Sequence, residues 1–131
     1  MRKQYHFQPG AEGLDAWDVD RLVRLSADLP VVTVALDEIR ELDTPYWSHP
    51  GSGPSTVREI IGHLRLIQDV DVSYPVILGS DGRVMDGMHR IARALLEGWT
   101  TVRAVRFPAD PEPDHRDRRP EDLSYDEESP P

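Results

Sequence analysis

Residues 82–98 read GRVMDGMHRIARALLEG, and Asp86, Gly87, Met88, His89 and Arg90 fall where a short apolar strand gives way to a helical pattern. Glycine at 87 permits a sharp backbone turn and lets a ligand approach without a Cβ in its way. The first N–H groups of the helix that follows have no intrahelical partners, and the helix dipole makes that end electropositive. His89 and Arg90 lie in the first turn, where a cation is unfavourable without an anion to compensate it. A phosphate or similar oxyanion would join these features. A purely internal arrangement accounts for them as well, with Asp86 as N-cap, Arg90 paired with Asp86 or Asp69, and His89 half-buried and satisfied. The residue types alone leave both open.

The elements that must position this turn follow from periodicity. Val76 to Leu78 and Arg83 to Met85 read as a hairpin, with Ser80, Asp81 and Gly82 in its turn. The helix from about Met88 to Glu97 is expected to bury Met88, Ile91, Ala92, Leu95 and Leu96, with Gly98 as a left-handed stop. TTVRAVRF supplies a final strand, and Val31 to Leu36 an earlier one. Between them, Val57, Ile60, Ile61, Leu64 and Ile67 make one apolar stripe on a helix opened by the capping box of Thr56 and Glu59. Gly62 inside that helix suggests a close packing contact. Ahead of these, Trp17, Val19, Leu22, Val23 and Leu25 suggest a helix ended by Pro30.

The order predicts a mixed α/β protein of the α+β kind, a small mixed sheet of about four strands flanked by helices. The domain is expected to span 14–107, after an N-terminal extension at 1–13. Residues 108–131 form an acidic, proline-rich tail expected to be disordered unless Leu123 and Tyr125 dock on the domain.

Charge and composition narrow the functions. The net charge is −9, and the tail alone carries nine acids against three arginines. Duplex DNA is disfavoured as a partner, because that affinity comes from neutralising phosphates. With no cysteine, thiolate metal sites and thiol nucleophiles are excluded. MRKQYHFQPG lacks the apolar stretch of a signal peptide and no run reaches membrane-spanning length, so a cytoplasmic protein is expected. His6, His63 and His115 show no ligand spacing, and His63 is expected to be exposed.

Taken together, VVTVALDEIREL, REIIGHLRLIQD and PVILGSDGRVMDGMHRIARALLEGWTTVRAVRF resemble the N-terminal domain of the ParB/sulfiredoxin superfamily, over residues 31–107. Members bind a nucleotide at this turn, which implies that Gly87, Met88, His89 and Arg90 face its phosphates. Position 88 separates the branches. Partition proteins carry Glu there and use CTP, sulfiredoxins carry a catalytic Cys, and the free-serine kinases carry His within Asp-Gly-His-His-Arg. Here it is Met88, and Asp86-Gly87-x-His89-Arg90 is most similar to the kinase branch.

That branch implies ATP or ADP with Mg²⁺, the ion held partly by Asp86, and a carboxylate base soon after the first strand. Phosphoryl transfer needs such a group to orient the acceptor hydroxyl. Glu41 and Asp43 are the candidates, with Asp43 favoured because it enters the loop, and His89 joins them as a catalytic candidate. Tyr46, Trp47 and His49 either wall a pocket or plug the core edge. GSGPST lacks the Gly-Lys-Ser/Thr ending of a phosphate loop. Three functions follow: a nucleotide-dependent phosphotransferase on a small hydroxyl compound, a non-catalytic nucleotide switch or protein-interaction module, and a DNA partition or nuclease-like factor. The acidic charge and the lack of a helix-turn-helix segment count against the last. The oligomeric state is not fixed by the sequence.

Overall fold

The computed structural model describes residues 3–48 and 53–125; His49, proposed as a pocket wall, lies outside them. Two sheets form. β1 (Tyr5–Gly10) and β2 (Gly13–Asp18) make an antiparallel hairpin. β3 (Val32–Ala35), β4 (Val76–Leu78), β5 (Val84–Asp86) and β6 (Thr101–Arg106) form a mixed sheet in the order β3-β6-β4-β5. β6 runs antiparallel to β3 and parallel to β4, and β4 is antiparallel to β5. Helices α1 (Val19–Ser26), α2 (Val57–Asp69) and α3 (Met88–Leu96) complete an α+β fold.

The sheet's period-two alternation divides the core into two clusters. Val76, Leu78, Val84, Val102 and Ala104 face Met88, Ile91 and Ala94 of α3, with Leu36 and Ile39 closing that side. Ile77, Met85 and Val105 point the other way, onto Trp17, Leu22 and Phe107. All three residues of β4 are therefore buried, which explains its continuous apolar run. Gly98 takes φ +78° after α3, as its role as a stop demands.

The N-terminal segment differs from the sequence reading. The buried core begins at Ala16 and Trp17, close to Leu14, but Tyr5–Gly10 already form a strand ahead of it, and Trp17 lies in β2 rather than in the helix. Asp18 accounts for the boundary: its side chain accepts the Asp20 N–H at 2.9 Å, so the helix starts only at Val19. Val23 and Leu25, assigned to the buried face, are exposed, whereas Leu22 is buried.

Of the two states the sequence left open for the tail, the docked one is seen, as far as Tyr125. Trp17 donates its indole N–H to the Pro111 carbonyl at 2.8 Å. Ala16 and His115 exchange backbone hydrogen bonds, and Leu123 is buried. The apolar handles act through the hairpin: the Tyr5 hydroxyl donates to the Ser124 carbonyl and its ring meets Tyr125 edge-on. Burial, foremost, raises the Tyr5 phenol above its usual range.

α2 forms where the periodicity places it, and the Thr56 hydroxyl accepts the Glu59 N–H at 3.1 Å. Its stripe is not covered, however: Val57, Ile60, Ile61 and Leu64 are exposed, as are Leu95 and Leu96 of α3. Periodicity shows that a helix has an apolar face, not that the chain supplies a cover for it. Nor is Gly62 a contact point, because a Cβ there would meet nothing within 4 Å.

One pH effect arises in the hairpin. Burial, assisted by the Arg83 guanidinium, pushes the His6 imidazole down to about 4. The unfolded chain binds that proton near the ordinary value of about 6.5, so this contribution is present above that pH and lost as pH falls toward 4. The unfolding free energy from urea titrations should therefore fall across this window, by at most about 3.4 kcal/mol. His6→Gln should flatten the profile; an unchanged profile would remove His6 as its cause.

Candidate functional site

Gly87 joins β5 to α3 with φ +109°, a left-handed conformation that strains any residue with a Cβ. The helix it opens has no side-chain cap and no acid in its first turn, so its leading N–H groups are left to whatever lies in front of them. In front lies a cavity of about 460 Å³ between β1 and the helix start, bordered by Lys3, Tyr46, Trp47, Gly87 and His89. Lys3 is held by Asp18 at 2.9 Å.

Asp86 is not the N-cap. It accepts from Arg90 Nη2 at 2.9 Å, an i,i+4 pair that supplies the anion a first-turn arginine needs. Arg90 folds back over Gly87, and a Cβ added to residue 87 would lie 2.8 Å from Nη2. The guanidinium also reaches the Pro75 carbonyl at 3.4 Å, and its buried Nε has no hydrogen-bond partner among the described residues. Arg90 lines a separate cavity of about 270 Å³ with Thr33, Tyr74 and Trp99. The sequence reading set Arg90 beside the phosphates; here the internal carboxylate holds it.

A second, larger groove of about 710 Å³ runs between α2, α3 and the loop after β3. Ile60, Leu64, Ile67, Ala92, Leu95 and Leu96 line it. Trp47 and Met88 border both this groove and the helix-start cavity. The partition between them is aromatic. His63 Nδ1 and His89 Nε2 are hydrogen-bonded at 3.0 Å, and the Trp47 ring lies over both imidazoles at 4.2 and 4.8 Å, within 17° of parallel.

His63, expected to be exposed, is therefore half-buried in the site. Its signal was its place at the edge of the α2 stripe, between Ile60 and Leu64; nothing local pointed to a residue 26 positions away. Burial lowers both imidazoles below their usual range; for His89 the neighbouring His63 adds to this, with Arg90 lowering and Asp86 raising more weakly. Burial, then Glu41 and Asp86, pushes the Tyr46 phenol up to about 12.

The two candidate bases part company. Asp43, the favoured one, is exposed at the end of a 3-10 turn (Arg40–Asp43) and borders neither the helix-start cavity nor the groove. Entering a loop brought it to the surface. Glu41 is half-buried, lines the groove and accepts the Val84 N–H.

Among the described residues no group of three or more His, Asp or Glu could hold a metal ion. With Asp86 bound to Arg90, the side chains do not fit a resident ion; Mg²⁺ suits this place only as part of a nucleotide complex. The uncapped N–H groups, in contrast, fit a phosphate. No helix among the described residues is long and apolar enough to cross a membrane. No family model, curated protein or solved structure matches the chain.

Proposed function

We propose that the chain is a nucleotide-binding protein of the ParB/sulfiredoxin kind, which holds phosphate oxygens at the start of α3. One observation carries this reading: an uncapped helix N-terminus, opened by a left-handed glycine, faces a cavity bordered by His89. Gly87, Met88 and His89 supply the amides, and the resemblance of Asp86-Gly87-x-His89-Arg90 to the kinase turn supports ATP or ADP. CTP is the alternative nucleotide.

A second reading makes the protein a phosphotransferase acting on a small hydroxyl compound. The adjoining groove supports it, since among the described residues lining it Glu41 is the one with a formal charge. A carboxylate there could orient an acceptor hydroxyl. Without transfer, the same site serves a nucleotide switch or protein-interaction module. A −9 charge does not favour duplex DNA as the ligand.

Calorimetry with ATP, ADP and CTP plus Mg²⁺ tests the reading. His89→Asp puts a carboxylate where it completes the helix N-terminus and repels a phosphate. The variant should bind at least about tenfold more weakly, equivalent to about 1.4 kcal/mol. Equal affinity in both proteins would remove the helix start as the site. Nucleotide turnover stimulated by an alcohol, and lost in Glu41→Gln but not in Asp43→Asn, separates the phosphotransferase from the switch.

A further inference from the structure

We propose that His63 is a positioning partner of His89, and that the bonded imidazole pair takes up a proton when an anion occupies the start of α3. The inference rests on the nucleotide reading and adds a residue and a regulation to it.

The geometry gives the pair its capacity. His63 Nδ1 and His89 Nε2 lie 3.0 Å apart, so one proton sits between the rings whichever donates. In the neutral pair one of the two outer nitrogens, His63 Nε2 or His89 Nδ1, carries no proton. A proton from water fills that position and leaves the shared bond intact, making a single imidazolium spread over two rings. A second proton would set two N–H groups head to head, so the pair accepts one while the bond stands. Trp47, stacked on both rings, holds them near one plane and gives the cation an aromatic face.

The surroundings keep the pair neutral at rest and leave it responsive. Glu59 on α2 faces His63 and favours charge, but burial outweighs it. Beside His89, Asp86 and Arg90 oppose each other and are tied together. Across the helix-start cavity stand Lys3, already held by Asp18, and His6, itself kept neutral by burial. Tyr125 also borders this cavity, with Tyr5 and Tyr46, whose phenols are raised by burial and so carry no charge near neutral pH. Glu41 faces the pair only across the groove, with its carboxylate held by Val84. An anion among the α3 amides adds a negative charge next to His89, which favours the protonated form of the pair. Its pair partner, which borders the groove, then opens the way for the proton from solvent.

The sign follows from linkage. Anion binding raises the pair's proton affinity, so lowering the pH through the ordinary histidine range strengthens binding, by up to about tenfold per pH unit. ADP with Mg²⁺ is titrated into wild type and His63→Phe, in two buffers of unlike ionisation enthalpy, at pH 6 to 8. Phenylalanine keeps a ring under Trp47 and removes the bonded partner that shares an imidazolium with His89; protonation of the nucleotide itself is common to both proteins and cancels. Wild type should take up more protons per nucleotide, approaching one, and only its affinity should carry the extra rise toward pH 6. Binding with equal proton counts in the two proteins overturns the inference and leaves the nucleotide reading standing. No binding to wild type at any pH overturns both. Nitrogen NMR of the free wild type is the check that needs no variant: coupled titration is expected, and two rings titrating independently at ordinary values overturn the pairing.

Discussion

Gly87→Ala is expected to lower stability by about 1–3 kcal/mol and to abolish nucleotide binding. Two effects act together. With φ at +109°, any residue with a Cβ is strained at this position. The new methyl would also lie 2.8 Å from Arg90 Nη2, and although that side chain is flexible, it is anchored to Asp86 and cannot yield without breaking the pair. The strain falls on the junction that aims the α3 amides, so binding should suffer beyond the loss in stability. Thermal denaturation gives the first quantity and calorimetry with ADP the second. Full binding by a folded Gly87→Ala protein would show that the amides at this turn do not hold the ligand. Arg90→Ala should behave differently: it frees Asp86 to cap the helix, weakening anion binding through a vacated carboxylate rather than through a lost phosphate contact.

Ending the chain after Asp110 is expected to destabilise the fold by at least about 3 kcal/mol, enough to unfold a marginal domain. The removed segment carries the Pro111 carbonyl that accepts from Trp17, the His115 backbone paired with Ala16, and Leu123. Each backbone bond is worth about 1 kcal/mol, and losing the burial of Leu123 while uncovering part of Trp17 adds up to about 1.5–3 kcal/mol each. Denaturant midpoints of the full and shortened chains measure the loss, and Leu123→Ala should account for part of it. An unchanged midpoint would mean that the segment merely lies on the hairpin.

What could be read from the residues depended on how local the controlling interaction was. β4, β5, α3 and β6 follow from patterns complete within a few residues: a period-two run, a turn at Gly82, an amphipathic stripe and a glycine stop. The Trp17 error arose because LDAWDVDRLV fits a helical period, while its pairing partner, the strand HFQP, looked like an unstructured leader. Strand pairing is a long-range fact that no single window contains. The docked tail is similar: its proline and acid content shows that it cannot fold alone, and says nothing of whether Trp17 awaits it. At the site, Gly87 and the helix start were legible from residue type. The Asp86–Arg90 pair was one of two arrangements left open. His63 was missed because the bond that gives it meaning joins two helices.

The hydrogen bond from Val84 to Glu41 has a bearing on solution behaviour. β5 lies at the border of the mixed sheet, where an outward-facing amide invites a strand from another molecule to dock and lengthen the sheet. The Glu41 carboxylate occupies that amide from within the same chain. Any intruding segment would have to evict a negative charge before making its first ladder contact. A side chain considered for chemistry thus also serves as a stopper against filament growth.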